Sequence, residues 1–128
     1  MSQQTEAYST VAQEQDLTPY EAVKLLLDGA MEHISVALLA QQNNNPAERG
    51  EAVDNTLSII GLLQASLDKE QGGELAENLN ELYDYMTRRL AHVAIDKTPA
   101  TLEEVQELVV QIRDAWLHID PSKEPASL

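Results

Sequence analysis

His33, His92 and His118 are the side chains with the widest chemical scope in this sequence, because an imidazole can bind a metal or carry a phosphate. Bundle proteins with two iron ions place a glutamate three residues before each of two ligating histidines. The corresponding positions here hold two alanines and an arginine. The spacing therefore predicts no metal site, and we expect all three histidines at the surface.

Phosphotransfer is the second chemistry that a helical histidine can support. Phosphotransfer modules follow the histidine, within one helical turn, with a lysine-glycine step that leaves room for the phosphate. His33 precedes Ile-Ser-Val-Ala and His92 precedes Val-Ala-Ile-Asp, so neither has this step. A helical histidine phosphotransfer protein or a metal-binding bundle protein remains the alternative interpretation of this sequence.

Nucleophilic catalysis and phosphate binding lack their usual residues. The chain has no cysteine and no Gly-x-Ser-x-Gly elbow, and no histidine is placed beside a candidate serine. The Gly72-Gly73 pair lacks the spacing and the lysine of a phosphate-binding loop. We therefore predict a protein that is not an enzyme and needs no cofactor.

The charge of the 128-residue chain narrows the class of partner. Lys and Arg number 8 against 22 Asp and Glu, which gives a formal net charge of −14. Binding to nucleic acid or to an anionic membrane surface depends on clustered basic residues. No apolar run approaches the roughly 18 residues of a membrane span, and the N-terminus is polar. We expect a cytoplasmic protein with no nucleic-acid partner and no membrane insertion.

Helix-breaking residues divide the chain at nearly even intervals, at Pro19, Pro46, Gly72-Gly73, Pro99 and Pro121. Leu, Ala and Glu, all strong helix formers, are the commonest residues, and Phe is absent. Apolar residues between the breaks recur at helical spacing. The sequence therefore predicts an all-α protein, an antiparallel four-helix bundle, with helices at about 19–43, 46–70, 73–96 and 100–119.

The two ends differ in composition from the segments between them. Residues 1–16 are rich in Gln, Ser, Thr and Glu, and Tyr8 and Val11 are their only sizeable apolar side chains. Residues 121–128 are short and polar. We predict a flexible N-terminal arm at 1–16, a bundle at 17–120 and a flexible tail at 121–128.

Excess apolar surface is predicted on the second and third helices. The stretch Leu57–Leu63 is wider than one core-facing stripe, and the third helix adds Tyr83, Tyr85 and Met86. Most of these side chains would fill the core of a bundle. Tyr85 lies about 100° away from Met86 around the helix, so we expect it to be partly exposed. A remaining apolar groove would make the protein a helix-binding module.

An ordered set of motifs along residues 8 to 119 resembles the bacterial flagellin export chaperones, the FliS family. The pattern in the third helix is Asn78-Leu79-x-x-Leu82-Tyr83-x-Tyr85-Met86-x-Arg88-Arg89-Leu90. The other matching pieces are Tyr8, Thr18-Pro19, Asp28-Gly29, Ser66-Leu67-Asp68 with Gly72-Gly73-Glu74, and Arg113-Asp114-Ala115-Trp116. Each piece is weak alone, and their order makes the resemblance specific.

The resemblance implies an ATP-independent chaperone that holds the C-terminal segment of flagellin, prevents its premature polymerisation and aids its secretion through the flagellar export apparatus. Further partners would be the flagellar export gate and a regulatory or co-chaperone protein, with the chain a monomer or weak dimer. We expect the cargo groove on the second and third helices, at Ile59, Leu62, Leu63, Leu67, Leu75, Leu79, Leu82, Tyr83 and Met86.

Two smaller predictions accompany this groove. In the free protein, Tyr8 and Val11 of the arm would fold over part of it and gate access. Arg88 and Arg89 could orient an acidic cargo segment, although pairing with an acidic residue of their own helix is the simpler expectation.

Overall fold

The computed structural model describes residues 17–118, without the side chains of Lys69 and Gln71. All regular secondary structure in that range is helical. The helices are α1 (Pro19–Gln42), α2 (Pro46–Ala65), α3 (Lys69–Leu90) and α4 (Ala100–Leu117). The predicted arm, with Tyr8 and Val11, and the predicted tail lie outside the described residues.

The helices form a four-membered ring in which α1 and α3 each contact both α2 and α4. Tyr20, at the start of α1, stacks on Trp116, at the end of α4. At the other end of α1, the Gln41 side chain donates a hydrogen bond to the carbonyl of Lys97, just before α4. α1 and α4 are therefore antiparallel, and the predicted all-α four-helix bundle is confirmed.

The starts of α1 and α2 are fixed by capping residues recognisable in the sequence. The Glu21 amide donates to the Thr18 hydroxyl at 3.1 Å, and the Thr18 amide donates back to the Glu21 carboxylate at 3.4 Å. Asn45 caps α2 by accepting from the amide of Glu48 at 3.1 Å. A proline at the first position of each helix removes one amide that would lack a partner.

The link between α2 and α3 differs from the predicted boundaries. α2 ends at Ala65 rather than near 70, where the Leu67 amide donates to the Gln64 carbonyl only three residues earlier and the Ser66 hydroxyl donates to the Leu63 carbonyl at 2.7 Å. The Asp68 carboxylate then accepts from the amide of Glu70 and starts α3. Gly73 interrupts the first turns of α3 with φ 56° and ψ −130°, which only glycine adopts readily.

α3 also ends earlier than predicted, at Leu90 rather than near 96. Residues 91–95 form turns, with amides of His92 and Val93 donating to carbonyls only three residues earlier. Such short-range bonds tighten a helix end and satisfy its last carbonyls. The sequence offers two starts for the next helix, Thr98-Pro99 and Thr101-Leu102-Glu103-Glu104, and α4 begins at Ala100, directly after the first of them.

The core brings α1 and α2 much closer together than it brings α3 to its neighbours. Ala30 and Ala37 of α1 are fully buried, and a Cβ on Gly29 would lie 3.3 Å from Cδ1 of Ile59. α3 instead faces the core with bulky side chains such as Tyr83 and Met86. Small residues allow close helix contact, whereas large ones hold the backbones apart.

Candidate partner-binding site

The end of the bundle that carries the start of α1 and the end of α4 is closed by two aromatic residues. Tyr20 and Trp116 stack with ring centroids 5.4 Å apart. The Tyr20 hydroxyl donates to the Trp116 carbonyl at 3.2 Å, and the Trp116 indole donates to the Tyr20 carbonyl at 3.0 Å. Both polar groups of these buried rings are therefore satisfied, which fixes the geometry of this end.

A small apolar cavity of about 20 Å³ lies beside this aromatic pair. Four of the nine predicted groove residues line it, namely Leu63, Leu67, Leu79 and Tyr83. The remaining lining residues are Val23, Ser66, Ile112 and Trp116. Helical periodicity predicts Val23, Ile112 and Trp116 as apolar-stripe positions but carries no signal that these helices meet Leu67 and Leu79 here.

The structure divides the nine predicted groove residues by exposure. Leu63, Tyr83 and Met86 are buried in the core. Leu75 is 50% exposed. The other five are partly buried: Ile59, Leu62, Leu67, Leu79 and Leu82.

Ile59 lies apart from the cavity, on the side of α2 that meets α1. Its Cδ1 atom would lie 3.3 Å from a Cβ added to Gly29 of α1. Leu67, in the link between α2 and α3, and Leu79 of α3 line the cavity, and the exposed Leu75 lies one helical turn before Leu79. We call these three residues the Leu67–Leu79 patch.

The contact between α2 and α3 is tied by a polar side chain as well as by apolar packing. The Gln64 amide nitrogen lies 2.8 Å from Oδ1 of Asn80 and 2.8 Å from Oδ1 of Asp84, so it can donate to both. Gln64 thereby fixes the register of α3 against α2. Two residues of the Leu67–Leu79 patch adjoin this contact in the sequence, since Leu67 follows Gln64 by three residues and Leu79 directly precedes Asn80.

A second polar group, the Glu104 cluster, joins α3 to α4. Glu104 accepts from Nε of Arg89 at 2.7 Å and from the hydroxyl of Tyr85 at 2.7 Å. These bonds hold the pKa of Glu104 below its ordinary value and raise the pKa of Tyr85. Arg89 therefore pairs with α4 and not with an acidic residue of its own helix. Tyr85 is partly exposed, as its helical position predicts.

Asp96 extends the Glu104 cluster into the link between α3 and α4. Its carboxylate accepts from the Thr101 hydroxyl at 2.6 Å and from the amide and hydroxyl of Thr98, each at 3.0 Å. Hydrogen bonds from Thr101 and Thr98 lower the pKa of Asp96 to about 2. Arg89 also donates to the Thr101 hydroxyl, so the two halves of the cluster are continuous.

The histidines lie apart from these groups. His33 is half-buried on α1, whereas His92 and His118 are exposed near the ends of α3 and α4. Across residues 17–118, no group of three His, Cys, Asp or Glu side chains is placed to hold a metal ion. None of the helices in this range combines the length and the apolar character that crossing a membrane requires.

A wider groove of about 660 Å³ lies at the opposite end of the bundle, between α1 and α4. Seven of its ten lining residues are polar, among them the amides Gln42 and Gln106 and the charged Lys97 and Glu103. Its apolar part includes Leu39, which is 56% exposed. This groove contains none of the predicted cargo residues.

Comparison with known proteins assigns the family. A family model described as "Flagellar protein FliS" matches residues 1–123. The flagellar secretion chaperone FliS of Salmonella typhimurium is 38% identical over 119 residues, covering 90% of this chain and 88% of the relative. FliSB of Pseudomonas aeruginosa is 34% identical, covering 88% of this chain and 90% of the relative. FliS of Vibrio cholerae is 33% identical, covering 91% of this chain and 88% of the relative. With its four-helix bundle and these relatives, the chain belongs to the FliS family of flagellar secretion chaperones.

Proposed function

We propose that this protein is a cytoplasmic chaperone that binds the C-terminal segment of flagellin, prevents its premature polymerisation and aids its secretion. Delivery of the cargo further requires contact with the flagellar export gate, and we extend the proposal to a regulatory or co-chaperone partner. The observation that carries the proposal is the Leu67–Leu79 patch, an apolar surface at the junction of α2 and α3 in a family whose named members are flagellar secretion chaperones.

The chemistry of this patch suits an amphipathic helical segment. Leu75 is half exposed, and the neighbouring Leu67 and Leu79 are partly buried beside an apolar cavity. An apolar face of a cargo helix can bury these side chains, as in other helix-in-groove complexes. A segment that folds as it binds loses part of the interaction energy to ordering, so the complex can be released for export.

The proposal includes a gating role for the N-terminal arm. Tyr20, which follows the arm in the sequence, closes the cavity end of the bundle with Trp116. We propose that the arm, through Tyr8 and Val11, covers the Leu67–Leu79 patch in the free protein. Deleting residues 1–16 should change flagellin affinity and leave bundle stability unchanged, whereas an unchanged affinity with a lower melting temperature would make the arm structural.

The direct test is binding of the full chain to a peptide covering the last ~40 residues of the organism's flagellin, a length that can bury 1,000–3,000 Å². Isothermal titration calorimetry should give a one-to-one complex. Leu75→Glu should weaken it about tenfold, because the lost burial of a half-exposed leucine is worth about 1 kcal/mol and the cargo must also desolvate a charge.

Leu39→Glu is the matched control, since Leu39 is a similarly exposed leucine at the opposite end of the bundle. Its affinity should equal that of the wild type. Loss of binding in Leu39→Glu but not in Leu75→Glu would move the site to the groove between α1 and α4. A wild-type chain that binds no peptide and instead carries phosphohistidine or iron would favour the alternative function.

A further inference from the structure

Helix α3 is attached to the bundle differently from the other helices. Among its described side chains only Ala76, Tyr83, Met86 and Leu90 are buried, whereas α1 buries eight residues. The contacts of α3 with α2 and α4 are the sparsest between neighbouring helices in the described range. Fewer buried side chains therefore anchor α3 in the core than anchor α1.

Polar side chains supply much of the remaining attachment of α3. Gln64 bridges to it from α2, and Glu104 bridges to it from α4. The side chains of Arg89 and Glu104 are 37% and 38% exposed. Water can replace such hydrogen bonds and ion pairs at low cost when the helices separate.

Both ends of α3 can absorb a change in its direction. Gly73 already leaves helical geometry near the start, with φ 56° and ψ −130°. After Leu90, residues 91–95 are turns and not helix. Short segments of this kind at element ends are where hinge motions concentrate their dihedral changes.

The other three helices have separate attachments that do not involve α3. α1 and α2 make close contact at Gly29 and Ile59. α1 and α4 are joined by the reciprocal bonds of Tyr20 and Trp116. Movement of α3 leaves these contacts in place.

We infer that α3 opens as a unit from an otherwise intact bundle, pivoting at Gly73 and at residues 91–95, and that the Glu104 cluster holds it closed. Opening exposes Leu63, Tyr83 and Met86, the three predicted groove residues that the closed bundle buries. This last step rests on the proposed function, in which the exposed side chains become available to the cargo.

The opening can be measured without cargo, because the chain has no cysteine and a single introduced thiol is uniquely labelled. Met86→Cys places the thiol on α3, and Ile34→Cys places it on α1, and both parent residues are almost fully buried. Under native conditions the thiol at 86 should react with a maleimide at least ~10-fold faster than the thiol at 34. Equal rates that both follow global unfolding would overturn the inference.

Adding Glu104→Gln should accelerate labelling at position 86 about fivefold and leave labelling at position 34 unchanged. The matched control is Asp28→Asn, which breaks the Arg113–Asp28 ion pair of similar length and exposure between α1 and α4. It should not accelerate labelling at position 86 selectively. Equal acceleration by both variants would mean general destabilisation and would refute the role of the Glu104 cluster.

Two further measurements separate the possible failures. In the unmodified full chain, hydrogen exchange should be faster across residues 80–90 than across residues 30–40, which guards against disruption by the introduced thiols. With the flagellin peptide, Glu104→Gln should tighten binding by about the same factor as it favours opening. A wild type that fails to bind refutes the proposed function alone. If Glu104→Gln speeds hydrogen exchange in α3 but leaves peptide affinity unchanged, the link between helix opening and cargo binding is refuted.

Discussion

Replacing Gly73 by alanine should destabilise the protein through the backbone alone. Gly73 has φ 56° and ψ −130°, and a Cβ added there would meet no atom within 4 Å. The cost of placing a side chain in this region of dihedral space is about 1–3 kcal/mol. Alanine also restricts the unfolded chain, which returns about 0.4–1 kcal/mol. The expected net loss is therefore about 1–2 kcal/mol.

Gly50→Ala is the matched substitution, and its expected effect on stability has the opposite sign. Gly50 lies inside α2, and a Cβ there would also have no neighbour within 4 Å. Alanine is favoured over glycine in a helix by about 0.8–1 kcal/mol, so this variant should be more stable than the wild type. The free energies of unfolding of the two glycine-to-alanine variants should therefore differ by about 2–3 kcal/mol, because the backbone conformations at the two sites differ.

Urea unfolding followed by circular dichroism at 222 nm measures both variants against the wild type on one scale. The slope of the transition should stay constant, so that the shift in midpoint reports stability. If Gly73→Ala proves as stable as Gly50→Ala, the left-handed turn at Gly73 is not needed, and α3 can start as a continuous helix. That result would also remove the first pivot of the inferred opening.

Two further predictions concern single contacts. Tyr20→Phe keeps the stacked ring but removes the buried bond from the Tyr20 hydroxyl to the Trp116 carbonyl, so thermal or urea unfolding should show a loss of about 1 kcal/mol; no loss would mean that water replaces this bond. Because the pKa of Asp96 is lowered to about 2 from an ordinary 3.8, its bonds contribute stability that is present above pH 3.8 and lost as pH falls toward about 2. Melting temperatures between pH 4 and pH 2 should therefore fall less steeply for Asp96→Asn than for the wild type, and parallel curves would contradict this.

The elements that the sequence predicts well are those specified by local chemistry. Thr18 with Pro19 and Asn45 with Pro46 each combine a capping side chain with a proline at the first helical position, and α1 and α2 start there. The alternation of breakers and apolar stripes also predicts four helices. These signals depend on residues within one or two turns of each other, so a single sequence contains them.

The elements that the sequence does not predict depend on which helices become neighbours. Periodicity assigns Met86 and Leu75 to the same predicted surface, yet the structure buries the first and exposes the second. The pairing of Arg89 with Glu104 joins residues 15 positions apart on different helices. Neither result follows from local spacing, because both depend on the rotation of α3 about its own axis relative to α4. The binding surface itself stays a prediction until flagellin binding is measured.

The stacked pair at the end of the bundle also supplies a built-in optical reporter. Trp116 is the only tryptophan in the chain, and its ring borders the cavity that Leu67 and Leu79 line. Its fluorescence therefore originates beside the proposed cargo surface and next to Tyr20 at the start of α1. A cargo segment that covers this end of the bundle changes the polarity around one indole and shifts its emission wavelength. Cargo loading and release can then be followed in real time on the unlabelled protein.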